Sequence, residues 1–421
     1  ASMHILVANN IYPPIQAGGA ELIVSYLCEE LVARGNRVTV VSTCGPEMEP
    51  HPIEHRNGVE VIRFFPKNRY WSFARGRQAG VRTEHSRLGR VRAGVDTARW
   101  HLTDAWNRDA ARRLGAVLAS VRPDLLHSHV IDGMSASMWG QARQRGMPVV
   151  HTAHDYHLLC PRAFLLSKSW KICTQPMLAC QAYRAWHIRT TAQVDLFTSP
   201  SRFLLDLHDQ AGLRSAASMV LANGIPLAPV ARPPYSPRRA RLLLLTRLTV
   251  EKGVRVVLDA MAALPADFPA ELVIAGRGPL EPEVAAAAAR DTRIRFLGYV
   301  QGEAKADALA WADHLLLPSL WYENAPVVIL EAAAHGLSLI ASRIGGIPEF
   351  VREGRTGRLF QAGDAAALAK AILAAAADTA LLDGLAAEGR SLIADYTVDR
   401  MVDGFTEQYR RLVPQRALVD A

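Results

Sequence analysis

The sequence is short of long hydrophobic runs. No apolar stretch in its 421 residues reaches the roughly 18–20 needed to span a bilayer, which excludes a polytopic membrane protein. It is also poor in cysteine. Cys28, Cys44, Cys160, Cys173 and Cys180 are an odd five, which argues against a disulfide framework and for a reducing cytoplasm. Cys160, Cys173, Cys180 and His187 come nearest to a zinc set. Their spacings of twelve, six and six intervening residues lack the tight Cys-x2-Cys knuckle, so free thiols and no metal site are expected. No secretory signal pattern is seen, because Met3-His4-Ile5-Leu6-Val7 reads directly as a buried strand. No solenoid repeat, nucleic-acid motif or low-complexity segment beyond an alanine bias is present. With 50% hydrophobic and 21% charged residues, disorder is excluded and a large core is affordable.

Acids are scarce in one place. From Arg63 to Arg113 thirteen Lys or Arg face four acids (Glu84, Asp96, Asp104, Asp109), within a formal net charge of +8. Phe64, Phe65, Tyr70, Trp71, Phe73, Trp100 and Trp106 lie among them. Arginines mixed with aromatics suit a phosphate-rich membrane interface, and the same stretch also reads as a solvated basic surface. The expectation is a cytoplasmic protein that binds a lipid-linked or phosphate-bearing acceptor, in peripheral contact with the inner face of the membrane through residues 63–113. Nucleic acid is not an expected partner.

What is present is a strand–helix alternation. The runs His4–Ala8, Arg37–Ser42, Val59–Phe65, Asp124–His129, Pro148–His151, Leu196–Ser199 and Ser218–Leu221 read as strands buried on both faces. Glu21–Arg34 is an amphipathic helix stopped by Gly35. Residues 226–237 hold five prolines in twelve positions, a stiff linker. The alternation then restarts, with strands Leu242–Thr246, Glu271–Ala275, Arg293–Leu297, His314–Leu317 and Ser338–Ala341. Helices are expected at Val254–Ala263, Leu280–Ala289, Ala304–Trp311, Pro326–His335 and Ala365–Ala377. The fold class is α/β: two Rossmann-like, doubly wound domains facing across a cleft, at 3–225 and 241–398, joined by a linker at 226–240. A last helix, with Met401, Phe405, Tyr409 and Leu412 on one face of Asp399–Leu412, would cross back to the first domain within 399–421.

Ligands of such sheets sit beyond the carboxyl ends of the strands. Glu323 precedes a short helix and Glu331 lies within it. Pro326 suits the first helical position and Gly336 the stop. A helix N-terminus between two carboxylates matches an elongated ligand with hydroxyls at both ends and phosphates in the middle, the layout of a nucleotide sugar. Arg247 and Lys252 follow the first strand of the second half and can neutralise a diphosphate leaving group. Gly276-Arg277-Gly278 lets backbone approach a ligand. Gly18 and Gly19 open the first helix with amides able to hold a phosphate. His151-Thr-Ala-His154 follows another strand end, where a histidine either hydrogen-bonds a sugar or serves as a structural group.

The ordered set of motifs resembles family 4 of the glycosyltransferases, which have the GT-B fold. It comprises Gly18-Gly19-Ala-Glu21, His151-Thr-Ala-His154, Asn223-Gly224-Ile225, Arg247 to Lys252-Gly253, Ala275-Gly276-Arg277-Gly278-Pro279, Phe296-Leu297-Gly298-Tyr299, Glu323-x7-Glu331 and Gly345-Gly346-Ile347-Pro348-Glu349. The match covers nearly the whole chain. The resemblance implies retaining, metal-independent transfer of a hexose-type sugar from a UDP- or GDP-sugar to a glycan or lipid-linked acceptor, in polysaccharide, lipopolysaccharide or glycolipid synthesis. The nucleotide sugar is a co-substrate, and no cofactor is implied. By analogy Glu323 contacts the donor sugar, Glu331 the ribose, and Arg247 and Lys252 the diphosphate. Asn324, Ala325, Pro326 and Val327 line sugar and phosphates, and Tyr299 and Val300 pass the base. Gly18, Gly19 and His154 lie at the reaction centre. The implied chemistry is front-face substitution, with the leaving diphosphate helping to deprotonate the incoming hydroxyl. Many relatives place Gly-Phe-Gly after the first glutamate, where this chain has Asn324-Ala325-Pro326. That bears on which sugar is carried. A nucleotide-sugar epimerase, a small-molecule glycosyltransferase and a non-catalytic nucleotide-sugar binder are the alternatives at this stage.

Overall fold

The computed structural model describes residues 2–15, 19–66, 87–167, 169–232, 235 and 240–413. The chain divides into two compact units. The first holds Ala1–Phe164, Gln175–Ile225 and Val398–Ala421, and the second Leu165–Thr174 and Pro226–Thr397.

The first unit is built on β1 (His4–Ala8), β2 (Arg37–Thr43), β3 (Glu54–Arg56), β4 (Val59–Phe64), β5 (Leu125–Ser128), β6 (Val149–Thr152), β7 (Leu196–Ser199) and β8 (Ala217–Val220). Their order is β3-β4-β2-β1-β5-β6-β7-β8, and every pair is parallel except β3 with β4. The edge strand β3 escapes the apolar pattern because Glu-His-Arg carries none. Its signal lay in the turn: Asn57 and Gly58, with φ of 47° and 80°, form the two-residue connection that favours a hairpin. The helix Val398–Leu412 buries Met401, Val402, Phe405, Thr406 and Tyr409. Arg34, at the end of the helix Ala20–Ala33, bonds Asp399 at 2.7 Å and Asp403 at 2.5 Å.

The second unit contains β9 (Ala240–Leu245), β10 (Ala270–Ala275), β11 (Ile294–Gly298), β12 (His314–Leu317), β13 (Ser338–Ser342) and β14 (Gly357–Phe360), in the order β11-β10-β9-β12-β13-β14. All its pairs are parallel. The inner strands β9, β10, β12 and β13 are largely apolar because both faces are covered, whereas the edge strand β11 leaves Arg295 and Leu297 exposed. Leu242 and Leu244 pack with Val254, Val257, Met261, Leu368 and Ile372 on one side. Leu243, one residue out of phase, packs with Leu309, Ile329 and Ala332 on the other. A period of two on a sheet with helices on both faces yields this split. The helix around Glu331 runs Val327–Ala334 with Pro326 as its N-cap, so the proline stands one position before the first helical residue and not, as expected, at it. A helix at Thr379–Ile393 and the four-residue β14 went unpredicted.

Candidate active site

In the second unit, β12 ends at Leu317 and the chain turns through Ser319 and Trp321 to Glu323. All three donors around Glu323 converge on Oε1: Lys252 Nζ at 2.6 Å, Ser319 Oγ at 2.7 Å and Trp321 Nε1 at 2.9 Å. Glu323 is only 6% exposed. Burial pushes its pKa up, but the Lys252 charge and the three hydrogen bonds outweigh it and hold the carboxyl below its ordinary value. Lys252 closes a short helical turn, Val250–Lys252, just after β9. Its ammonium also lies 4.9 Å from the Trp321 ring centroid, a cation–π contact.

The Glu323 loop is pinned from behind. Gly346 N donates to Glu323 O at 2.7 Å. A Cβ on Gly345, whose φ is +59°, would stand 2.6 Å from that oxygen, and one on Gly346 would stand 2.0 Å from Asn324 O. The two glycines let one turn press onto the other's backbone. Beyond Pro326 the helix begins with no side-chain cap, and the first N–H groups of a helix have no partner within it. Glu331 sits a little more than one turn in and accepts from Lys305 Nζ at 2.6 Å.

Other expected residues are placed separately. Arg247 is largely exposed, with Nη2 3.8 Å from Glu251. Gly276 follows β10, and its absent side chain has a packing reason: a Cβ would stand 1.8 Å from Thr246 O. The Arg277 guanidinium lies 4.6 Å from the centroid of the exposed Tyr299 ring, with Val300 beside it. In the first unit Gly19 is the N-cap of the helix Ala20–Ala33, whereas Gly18 lies outside the described residues.

His154 follows β6 and is half-buried. Its Nε2 lies 3.0 Å from His129 Nδ1. The His129 ring lies tilted against that of His127, with centroids 4.0 Å apart. His127 is held by Tyr409 Oη at 2.6 Å and Thr152 Oγ1 at 2.7 Å. Burial lowers the pKa of all three, His154 to about 4 and His127 to about 3, so the rings are neutral near pH 7.

Several side chains bonded to these groups were not singled out as site neighbours in the sequence: Ser319, Trp321, Lys305, His127 and His129, with Tyr409 read only as part of the last helix's apolar face. The alternation of Ser319, Trp321 and Glu323 past a strand end, and of His127 and His129 on one strand face, were the available signals.

The basic aromatic stretch is not uniform. Arg63 is buried and bonds Tyr12 O and Pro13 O at 3.2 and 2.7 Å. Phe64 and Trp100 are also core residues, whereas Trp106 is 40% exposed. The expectation of an aromatic membrane face therefore fails for Phe64 and Trp100, which fill the core. Tyr70, Trp71 and Phe73 lie outside the described residues.

Among the described residues one group has metal-ligand character, Asp104, Asp132 and His157. The carboxylates face opposite ring nitrogens of His157, at 3.6 and 3.7 Å. The three cysteines and His187 do not gather as a metal group among the described residues. No single described helix is long and apolar enough to cross a membrane.

Comparison with known proteins places the chain. Residues 18–224 match the Glycosyl transferase 4-like domain, and residues 239–378 match Glycosyl transferases group 1. The chain is 30% identical over 388 residues to a glycogen synthase of Mycobacterium tuberculosis, covering 88% of this chain and 85% of that protein. It is 28% identical over 355 residues to an uncharacterised 42.6 kDa protein in the cps region of Klebsiella pneumoniae, covering 83% and 88%. The sucrose-phosphate synthase structure from Thermosynechococcus elongatus superposes with a TM-score of 0.71 at 21% identity, over 97% of this chain and 99% of that one. The chain belongs to the group 1 glycosyl transferases and is a GT-B enzyme of the retaining type, with a nucleotide-diphosphate sugar as its co-substrate.

Proposed function

We propose that the second unit holds the donor along the line from Glu323 to Glu331, and that this is where the sugar is activated. The observation that carries this reading is the buried Glu323 carboxylate, gripped by Lys252, Ser319 and Trp321 immediately before a helix N-terminus. Three donors occupy Oε1, and Oε2 is the atom that would accept from a donor-sugar hydroxyl. An ammonium has three N–H donors. Lys252 spends one on Glu323 and turns the others to the diphosphate, with Arg247 as the second cation. The amides after Pro326 take phosphate oxygens, Glu331 takes the ribose hydroxyls, and Tyr299 with Val300 borders the base. Stabilising the departing diphosphate where charge develops is the protein's main catalytic contribution.

The enzyme moves a sugar to a glycan or lipid acceptor in polysaccharide- or lipopolysaccharide-type synthesis. The kinship with a protein of a cps region supports this setting. The first unit is the acceptor-binding one, with Gly18, Gly19 and His154 as its ligand-contacting residues. Leu102, Trp106 and Trp186 are exposed, with the two indoles edge to face at 6.2 Å and Arg108 and Arg112 close by in sequence. This combination supports peripheral contact with an anionic membrane, at the inner face of the cytoplasmic membrane, which liposome flotation checks.

A thermal-shift series with UDP, GDP, ADP and dTDP tests the donor reading. One of them, at a hundred times its dissociation constant, is expected to add about 2.7 kcal/mol of stability. The absence of a shift with all four would remove the reading.

A further inference from the structure

Glu331 is bonded to a cation from a different element. Lys305 Nζ donates to its Oε1 at 2.6 Å, and the two side chains are 33% and 20% exposed. Lys305 belongs to the helix Gly302–Trp311, which begins just past Tyr299 and Val300. That helix carries the chain from β11 at the sheet edge to β12, past β10 and β9, and the crossover brings Lys305 to the helix that holds Glu331. A cation near the start of a helix opposes the helix dipole, and a partly exposed ion pair adds little stability. Stability therefore gives little reason for a lysine at this position.

A hydroxyl group offers one O–H donor and two acceptor lone pairs. A carboxylate satisfies the donor, and an ammonium beside it satisfies a lone pair. Lys305 spends one of its three N–H groups on Glu331 Oε1 and keeps two. Tying Oε1 also holds the carboxylate in one orientation before a ligand arrives, which removes part of the ordering cost of binding. Glu331 Oε2 and the remaining N–H groups of Lys305 can then pass from water to a ligand hydroxyl.

We propose that Lys305 and Glu331 act as one donor–acceptor pair that reads the ribose of the nucleotide: Glu331 accepts from a ribose hydroxyl, and Lys305, still held on Oε1, donates to that hydroxyl's oxygen. Lys305 thereby helps set the preference for a ribonucleotide over its deoxy form. A phosphate at this spot would meet the Glu331 carboxylate, a like charge, whereas a neutral hydroxyl uses both members of the pair. The position fits the order of base, ribose and diphosphate along the site, since Tyr299 and Val300 directly precede the helix that carries Lys305. This inference rests on the reading of Glu331 as the ribose-contacting residue.

The test is isothermal titration calorimetry of the full chain at one salt concentration. The probes are whichever of UDP, GDP and ADP binds wild type most tightly, with its 2′-deoxy and 3′-deoxy forms. In wild type the form lacking the contacted hydroxyl is expected to bind about tenfold more weakly than the parent, the scale of one charge-assisted hydrogen bond. Lys305→Met should reduce that ratio to about threefold or less, mainly by weakening the parent nucleotide. Equal weakening of parent and deoxy forms, with the ratio unchanged, overturns the inference, because the lysine then acts only as a charge or a strut. Lys305→Arg keeps the charge and the N–H donors and should retain most of the ratio. If it loses as much as Lys305→Met while remaining folded, the role of Lys305 is refuted. If Glu331→Ala leaves the ratio at its wild-type value, or if both deoxy forms bind wild type as well as the parent does, the reading of Glu331 fails and the inference with it. If Glu331→Ala lowers the ratio and Lys305→Met does not, only the role of Lys305 falls.

Discussion

Replacing Lys252 by methionine probes the centre of the proposed donor site. The Lys252 and Glu323 side chains are 14% and 8% exposed, with 2.6 Å between their charged atoms. Removing one partner of a buried pair strands the other, at about 3–5 kcal/mol. Ser319 and Trp321 still bond Glu323, so the lower end, about 3 kcal/mol, is expected. For a unit of this size that lowers Tm by roughly 6–12 °C. Without the ammonium the strongest opposition to burial is gone, and the pKa of Glu323 is expected to rise. The Lys252→Met/Glu323→Gln double variant removes both charges and should cost about 1–2 kcal/mol less than the sum of the single variants. Urea unfolding of the four proteins measures the cycle. A loss below about 0.5 kcal/mol in Lys252→Met, or strict additivity, would refute the reasoning.

Two further outcomes are expected. His127 and His187 are held near pKa 3 and His154, His208 and His314 near 4, chiefly by burial. The unfolded chain takes up protons near pH 6.5 that the folded chain refuses, so stability should fall as pH drops from 6.5 toward 4, by about 1.4 kcal/mol per pH unit per histidine. Unfolding free energies that are flat over that window would contradict these burial assignments. In flotation the protein should rise with vesicles containing anionic phospholipid, do so less in high salt, and lose binding in Trp106→Ala/Trp186→Ala. Equal behaviour on neutral vesicles would count against the membrane proposal.

Much of the fold was legible because parallel strands buried on both faces announce themselves as apolar runs. Short strands with little apolar pattern were lost, Glu54–Arg56 and Gly357–Phe360, and the helix Thr379–Ile393 was overlooked although Leu381, Leu382, Leu385, Leu392 and Ile393 mark its buried face. The two glutamates and the helix start between them could be read locally, since caps and breakers act over a few residues. What the sequence could not display was the company Glu323 keeps. Lys252 lies 71 positions away, and only the parallel crossovers bring the ends of β9 and β12 together. The same holds for His129 and His154, which come from neighbouring strand ends 25 residues apart. Trp100 and Phe64 misled because an aromatic among arginines looks alike whether it fills a core or coats a surface, until burial is known.

In the proposed mechanism, sugar transfer depends on the Glu323 carboxylate. Its most direct test is donor turnover by Glu323→Gln, using the nucleotide sugar that wild type consumes fastest. A fall of about 10²–10³ in rate is expected, with the nucleoside diphosphate still bound. Turnover equal to wild type would contradict it.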